Sequence, residues 1–224
     1  MLDMHGDMQG SAVALGTLLA LTLLEVPFAV DCWLALTENR TGPHAYKQQD
    51  VVGTVAGKTI QVMHTDAEGR MVLADTLTLA GEPGPATIID YATLTGTCVS
   101  ALTTRYSGVF TNRPQLHPLL QHAGEESGER VWPFPVTDEF RDELKSEVAD
   151  LKQCLVPGAG DHIMAAALLR EFVPGQSTWI HLDLSASSHE GGLAHTPSKV
   201  TGFGVRYTLS LLLDLAQSPG RPAA

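Results

Sequence analysis

The chain has 224 residues, of which 44% are hydrophobic and 17% are charged, and its formal net charge is −11. This composition excludes a largely disordered chain and fits one large domain. It also argues against nucleic acid as a partner, because phosphate binding needs clustered Lys and Arg and the sequence has only 14 of them. The three cysteines show no C-x-x-C spacing, which favours a reducing compartment, so we expect a cytoplasmic protein.

The first apolar segments predict a helix, a strand and a hairpin. Residues 10–24 are rich in Ala and Leu, which predicts a buried helix. The run is shorter than the ~20 residues of a membrane span. No positively charged segment precedes it, so neither a signal peptide nor a membrane contact is expected. Residues 28–36 (FAVDCWLAL) predict a buried strand, and residues 51–62 predict a β-hairpin.

The rest of the chain alternates strands with helices. Strands are predicted for residues 86–91, 108–111 and 178–184, and helices for residues 138–148, 158–172 and 205–216. The alternation predicts a single α/β domain over residues 1–216, with a mixed, mainly parallel central sheet flanked by helices. Residues 217–224 are expected to form a disordered tail.

The segment HTDAEGR, residues 64–70, lies between the predicted hairpin and an apolar helical pattern. Ligands of α/β sheets bind at such strand ends. Asp66 and Glu68 are separated by a single small residue, so both carboxylates can turn toward one point. This pattern fits a divalent-metal site or an acid–base pair. Spacing alone favours a simpler interpretation, in which Asp66 and Glu68 only stabilise the start of a helix, because acidic residues are common in the first turn of any helix.

Arg70 and Asp7 are open to similar alternatives. In a metal site the Arg70 guanidinium would hold an anion or stabilise an oxyanion, and otherwise it would pair with Asp66 or Glu68 at the helix start. Asp7 closely precedes the first helix and, taken alone, is an N-cap or a first-turn acid. The nine histidines form no H-x-x-x-H or H-E-x-x-H pattern, so they receive no metal-binding role.

Three segments together resemble one enzyme family. HTDAEGRMVLADTL at residues 64–77 is nearly identical to the NTDAEGR signature of the leucine aminopeptidase (cytosol aminopeptidase) family. MLDMHGDMQGSA at residues 1–12 and DYATLTGTCVSAL at residues 90–102 are similar to two further motifs of that family. Within the family, the chain resembles the probable aminopeptidase-like branch. The resemblance implies a C-terminal peptidase domain that releases N-terminal residues from peptides and assembles as a homo-oligomer, a hexamer.

The resemblance also implies the role of each site residue. Asp7, Asp66 and Glu68 would bind two divalent metal ions, zinc or manganese, with Glu68 bridging them. Arg70 would be the catalytic arginine and would hold a bicarbonate. The implied substrate-binding residues are Met4, His64, Thr93, Leu94 and Gly96. His64 stands where the family has asparagine, which predicts an altered specificity or metal preference.

The sequence also departs from the family pattern at its start. In the family, a K-G-x-x-x-D-x-G-G strand precedes the position of Asp7 and supplies a lysine ligand, a bridging aspartate and a catalytic lysine. The first lysine of this sequence is Lys47. We therefore expect an N-terminally incomplete domain with an impaired site, exposed backbone pairing groups and exposed apolar core. Two alternatives remain: a non-catalytic form that acts only through association with full-length subunits, or an incomplete version of a longer protein.

Overall fold

Helices and strands alternate through the part of the chain that the computed structural model describes, residue 2 and residues 4–217. The α-helices are α1 (Gln9–Leu23), α2 (Gly69–Gly81), α3 (Gly96–Leu102), α4 (His117–Ser127), α5 (Asp138–Glu143), α6 (Asp161–Arg170) and α7 (Val205–Gln217). The strands are β1 (Val51–Gly53), β2 (Thr59–Gln61), β3 (Thr87–Ala92), β4 (Ser107–Thr111), β5 (Val131–Pro133), β6 (Leu151–Lys152) and β7 (Thr178–Asp183). Two 3-10 helices cover Met4–Met8 and Pro114–Leu116. Gln217, the first residue of the predicted tail, is the last residue of α7, and the rest of the tail lies outside the described residues.

The strands form two mixed sheets. The larger sheet has the order β3-β7-β4-β5, in which β3 and β7 are parallel, β7 and β4 are antiparallel, and β4 and β5 are parallel. The smaller sheet has the order β1-β2-β6 and contains the predicted hairpin. The predicted α/β class with a mixed sheet flanked by helices is confirmed, although the strands divide between two sheets.

Strand β7 lies inside the larger sheet, and a hydrophobic cluster covers each face of that sheet. Trp179 of β7 packs in a cluster with residues of α2 and α6, whereas Ile180 and Leu182 point to the opposite face. On that face they pack in a second cluster with residues of α1, α4 and α7, including Val13 and Tyr207. Because helices cover both faces of the sheet, β7 is buried along most of its length, including the polar residues His181 and Asp183.

Helix α1 is buried on one side only. Its buried positions recur every four residues: Gln9, Val13, Thr17 and Leu21. This stripe packs against α7 and β3. On the outer side Leu15, Leu19 and Leu23 are 54%, 60% and 75% exposed. The prediction of a buried helix is wrong for this outer side, because no element of the described part covers it. None of the described helices is both long and apolar enough to cross a membrane.

Residues 28–36 are not a strand, contrary to the prediction. They lie between α1 and the first sheet without regular secondary structure, and most of their side chains are at least partly exposed. Within the described residues, their backbone makes one hydrogen bond, from the Leu36 N–H to the Leu34 carbonyl. An apolar segment becomes a strand only when a neighbouring strand satisfies its backbone groups. None of the described strands pairs with residues 28–36.

We predict that Gly10→Ala destabilises the fold. A Cβ atom at Gly10 would collide with the backbone carbonyl of Tyr91 at the end of β3. Helix propensity favours Ala over Gly by ~1 kcal/mol, but forcing α1 away from β3 should cost more, leaving a net loss of about 1–3 kcal/mol. Urea unfolding measures this loss, and Ser11→Ala on the same helix is the control. Equal or higher stability of Gly10→Ala would contradict the close packing.

Candidate functional site

The HTDAEGR segment forms the loop between the end of β2 and the start of α2, as predicted. The Ala67 N–H donates to the His64 carbonyl at 3.2 Å, and the Asp66 N–H donates to His64 Nδ1 at 3.2 Å. Glu68 has helical dihedral angles and directly precedes α2. The turn leaves the side chains of His64 and Asp66 exposed to solvent.

A buried glutamine that the sequence analysis missed holds this loop. Gln153 Oε1 accepts hydrogen bonds from the N–H groups of Met63 (3.1 Å) and His64 (3.0 Å). Its Nε2 donates to the Ala67 carbonyl at 2.9 Å. Gln153 directly follows β6, whose parallel pairing with β2 brings it to the loop. No local motif marks this residue, because its position depends on pairing between strands far apart in sequence.

The three predicted metal ligands are accessible, and none of them pairs with a basic side chain of the described residues. Glu68 Oε1 accepts a hydrogen bond from Asn39 Nδ2 at 3.0 Å, and Asp7 Oδ1 accepts one from Thr93 Oγ1 at 2.8 Å. The Asp66 carboxylate makes no hydrogen bond or ion pair with any described residue. Carboxylates are suitable donors for hard divalent cations.

These carboxylates do not assemble into a metal site by themselves. Among residue 2 and residues 4–217, no group of three or more His, Cys, Asp or Glu side chains is arranged to hold a metal ion. The carboxylate oxygens therefore suit a divalent cation, but too few of them meet at one point to hold it. A complete coordination shell would need further donors.

Arg70 pairs with a different acid from the two that its sequence spacing indicated. Its side chain is 2% exposed and forms a bidentate pair with Asp161, at 2.8 Å from Nη1 to Oδ1 and 2.6 Å from Nη2 to Oδ2. Nη1 also donates to the Gln153 carbonyl at 3.3 Å. The alternative partners Asp66 and Glu68 are therefore wrong. Asp161 is the first residue of α6, so this helix fixes the guanidinium, as a bidentate carboxylate does.

A second buried residue, Asp183, organises the loop after β3. Its Oδ2 accepts from Thr95 Oγ1 at 2.6 Å, and its Oδ1 accepts from the Leu94 N–H at 3.1 Å. Burial raises the pKa of Asp183, against the opposing attraction of His181 and the hydrogen bonds from Thr95 and Leu94. Thr95 also caps α3, accepting the Cys98 N–H at 3.2 Å. A lone aspartate at the end of a predicted strand was the only sequence signal for this role.

The loop after β3 connects the other parts of the site. Thr93 contacts Asp7 in the first 3-10 helix, which also carries the 43% exposed Met4. Leu94 lies against α2, since a Cβ added at Gly69 would lie 3.5 Å from Leu94 Cδ1. Gly96 begins α3 and borders a hollow of about 240 Å³. The structure thus brings together the three segments that carry the predicted site residues.

A comparison with protein families decides where the chain belongs. Residues 1–209 match the model described as the cytosol aminopeptidase family, catalytic domain. The chain belongs to the cytosol aminopeptidase family. The resemblance of its three motifs to that family is therefore confirmed.

Curated members of the family are much longer than this chain. It is 43% identical over 210 residues to a probable cytosol aminopeptidase of Geobacter sulfurreducens, an alignment that covers 93% of this chain and 42% of that protein. A probable cytosol aminopeptidase of Roseiflexus castenholzii is 42% identical over 217 residues, which cover 96% of this chain and 44% of the relative. The chain spans less than half the length of these relatives.

Solved structures of the family share the fold. A tomato leucine aminopeptidase mutant superposes with a TM-score of 0.80 at 33% identity, over 92% of this chain and 40% of the other. The bottromycin maturation enzyme BotP in complex with Mn superposes with a TM-score of 0.83 at 36% identity, over 94% of this chain and 47% of the other.

We predict that Gln153→Ala loosens the HTDAEGR loop. The substitution leaves the N–H groups of Met63 and His64 without an acceptor, at a cost of about 1–3 kcal/mol. Chemical denaturation measures the loss, and faster hydrogen exchange at the two amides locates it. Gln48→Ala is the matched control, because the exposed Gln48 donates to the Met63 carbonyl at 3.1 Å from outside. Unchanged exchange in Gln153→Ala would show that the loop does not depend on this side chain.

Proposed function

We propose that this chain is a metal-dependent aminopeptidase of reduced capacity, which releases N-terminal residues from peptides through a two-metal site. One observation carries the proposal: Asp7, Asp66 and Glu68 lie on segments that the loop after β3 connects, are accessible and have no basic partner among the described residues. Family membership and the names of the curated relatives support the same reaction.

The proposed metals are zinc or manganese. All three carboxylates are hard oxygen donors that suit such cations, and the related BotP structure contains Mn. When bound, these ions supply Lewis-acid chemistry to a peptide carbonyl. Because the described residues do not gather a complete ligand set at one point, we propose weak metal binding and slow turnover.

The protein residues would bind and orient the peptide. Arg70, fixed by Asp161, would hold bicarbonate or another small anion, since its buried Nε lacks a protein partner in the described part. Leu94 and Met4 would contact the first side chain of the peptide. The hollow beside Gly96, which Thr93 also lines, leaves space at the end of β3. His64, exposed at the start of the loop, would influence which N-terminal residue is accepted.

The proposal also includes the expected assembly and cellular location of the protein. Assembly as a hexamer follows the family resemblance. A cytoplasmic location is supported by the three cysteines, all of which are free thiols.

The exposed leucines of α1 favour a second candidate function, a non-catalytic form that associates with full-length subunits. Co-purification with a full-length subunit tests this second candidate, and a chain that remains alone in its presence would contradict it.

We predict measurable but weak manganese binding. Calorimetric titration of the purified chain with Mn²⁺ should give a Kd of about 0.1–1 mM, equivalent to ~4–5 kcal/mol. Hydrolysis of a leucine anilide should rise with metal occupancy. Asp66→Ala should lower both affinity and turnover at least ~10-fold, because it removes an unpaired carboxylate donor.

Glu82→Ala is the matched control, since Glu82 is an exposed acid at the opposite end of α2. It should bind metal and turn over like the unmodified chain. No metal uptake at ~10 mM, where the proposed affinity requires near saturation, would overturn the proposal. Equal losses in both variants would mean that the effect is one of net charge.

A further inference from the structure

The guanidinium of Arg70 already holds a carboxylate of this chain. Nη1 donates to Asp161 Oδ1 at 2.8 Å and Nη2 donates to Asp161 Oδ2 at 2.6 Å, which is the parallel arrangement in which an arginine binds a planar anion. Nη1 also donates to the Gln153 carbonyl at 3.3 Å. Nε is buried and has no partner among the described residues. The two Nη groups are therefore occupied, and Nε is the donor that is left.

Burial shows which side of the pair an anion from solution would meet. The Arg70 side chain is 2% exposed, whereas the Asp161 side chain is 21% exposed. The acid therefore lies on the solvent side of the pair and covers the guanidinium. A small anion could reach the two Nη groups only by displacing Asp161.

Asp161 does not act as an ordinary acid at a helix start. It is the first residue of α6, where the helix dipole favours a negative charge. However, its printed hydrogen bonds all go to Arg70, and no described backbone N–H donates to its carboxylate. Asp138, the first residue of α5, shows the ordinary case, because it is 87% exposed and forms a surface ion pair with Arg170. The Asp161 carboxylate instead serves as a ligand of Arg70.

A neighbouring thiol is influenced by both charges of the pair. Burial raises the pKa of the Cys154 thiol, Arg70 lowers this pKa, and Asp161 raises it. The two charges therefore oppose each other at their surroundings, so the pair does not act there as a lone cation. Without Asp161 the guanidinium would be a buried cation with no counterion, which is strongly unfavourable. Such a cation would attract an anion from solution.

We propose that Asp161 is a built-in anion for Arg70, whose carboxylate fills the place that bicarbonate or another small planar anion would take. Asp161 is then a positioning residue, which holds Arg70 and makes an external anion unnecessary. The unmodified chain would bind such anions only weakly. This inference rests on the proposed function for the role of Arg70 in the peptidase site. The occupation of Arg70 is tested separately, by anion binding without metal or substrate.

Formate, the smallest carboxylate, is the probe for the binding test. Asp161→Ala leaves space beside Arg70 and removes the counterion. We expect formate to bind this variant at least ~10-fold more tightly than the unmodified chain, seen as a saturable rise of the unfolding temperature with formate concentration. Sodium chloride at the same ionic strength controls for screening. Equal formate affinity in the two proteins would overturn the proposal.

Asp138→Ala is the matched control, because it also removes the first acid of a helix that pairs with an arginine. Its formate affinity should equal that of the unmodified chain. An equal gain in both variants would mean that formate responds to the lost charge and not to the vacated place, and the proposal would be wrong.

Asp161→Asn keeps the proposal testable if Asp161→Ala does not fold. The amide has the size of the acid, but it has one acceptor oxygen and turns its NH₂ group toward the other Nη. Formate should therefore displace it more easily than it displaces Asp161, with an affinity at least ~3-fold higher than for the unmodified chain. An unchanged affinity in Asp161→Asn would contradict the built-in anion.

Turnover gives a second measurement. Leucine anilide hydrolysis by the unmodified chain with Mn²⁺ should not change when bicarbonate is added. Asp161→Ala should lose at least ~10-fold in turnover and regain it with formate or bicarbonate, because either can replace the missing carboxylate. Hydrolysis by the unmodified chain that requires added bicarbonate would overturn the proposal. If no protein hydrolyses the substrate, the proposed peptidase function fails, and formate binding still decides whether Asp161 occupies the anion position.

Discussion

The parallel pairing of β3 with β7 is the constraint on which the candidate site depends. At the end of β7, Asp183 binds the loop after β3 through Leu94 and Thr95. The same loop reaches Asp7 through Thr93. The other edge of β3 pairs with no strand in the described part of the chain. The ends of these two strands therefore position the loop that connects the segments of the site.

The rigid parts of the site are buried and its candidate ligands are exposed. Gln153 and Asp183 are almost fully buried, and each makes several hydrogen bonds to loop residues. Removing either would leave buried donors without acceptors, which costs more than the net gain from an average hydrogen bond. The carboxylates of Asp66 and Glu68 project from the loop that Gln153 holds. This division gives a fixed backbone that carries accessible charged groups, as a ligand-binding loop requires.

The sequence predicted what depends on local pattern. The hairpin, β3, β7 and the position of HTDAEGR between a strand and a helix follow from hydrophobic periodicity and turn residues. Gln153 and Asp161 were missed because their partners lie more than 80 residues away. Residues 28–36 were predicted as a strand because an apolar pattern records the tendency to pair. It does not show whether a pairing neighbour is present.

Charge explains why the candidate site would respond to a cation. Asp7, Asp66 and Glu68 carry like charges on connected segments, and the nearest basic group of the motif, Arg70, is already paired with Asp161. Their exposure keeps them hydrated, so the chain tolerates the charges without a counterion. A divalent ion that binds only the folded chain stabilises it by RT ln(1 + [L]/Kd). Metal binding should therefore raise the unfolding temperature, and this measurement reports binding separately from turnover.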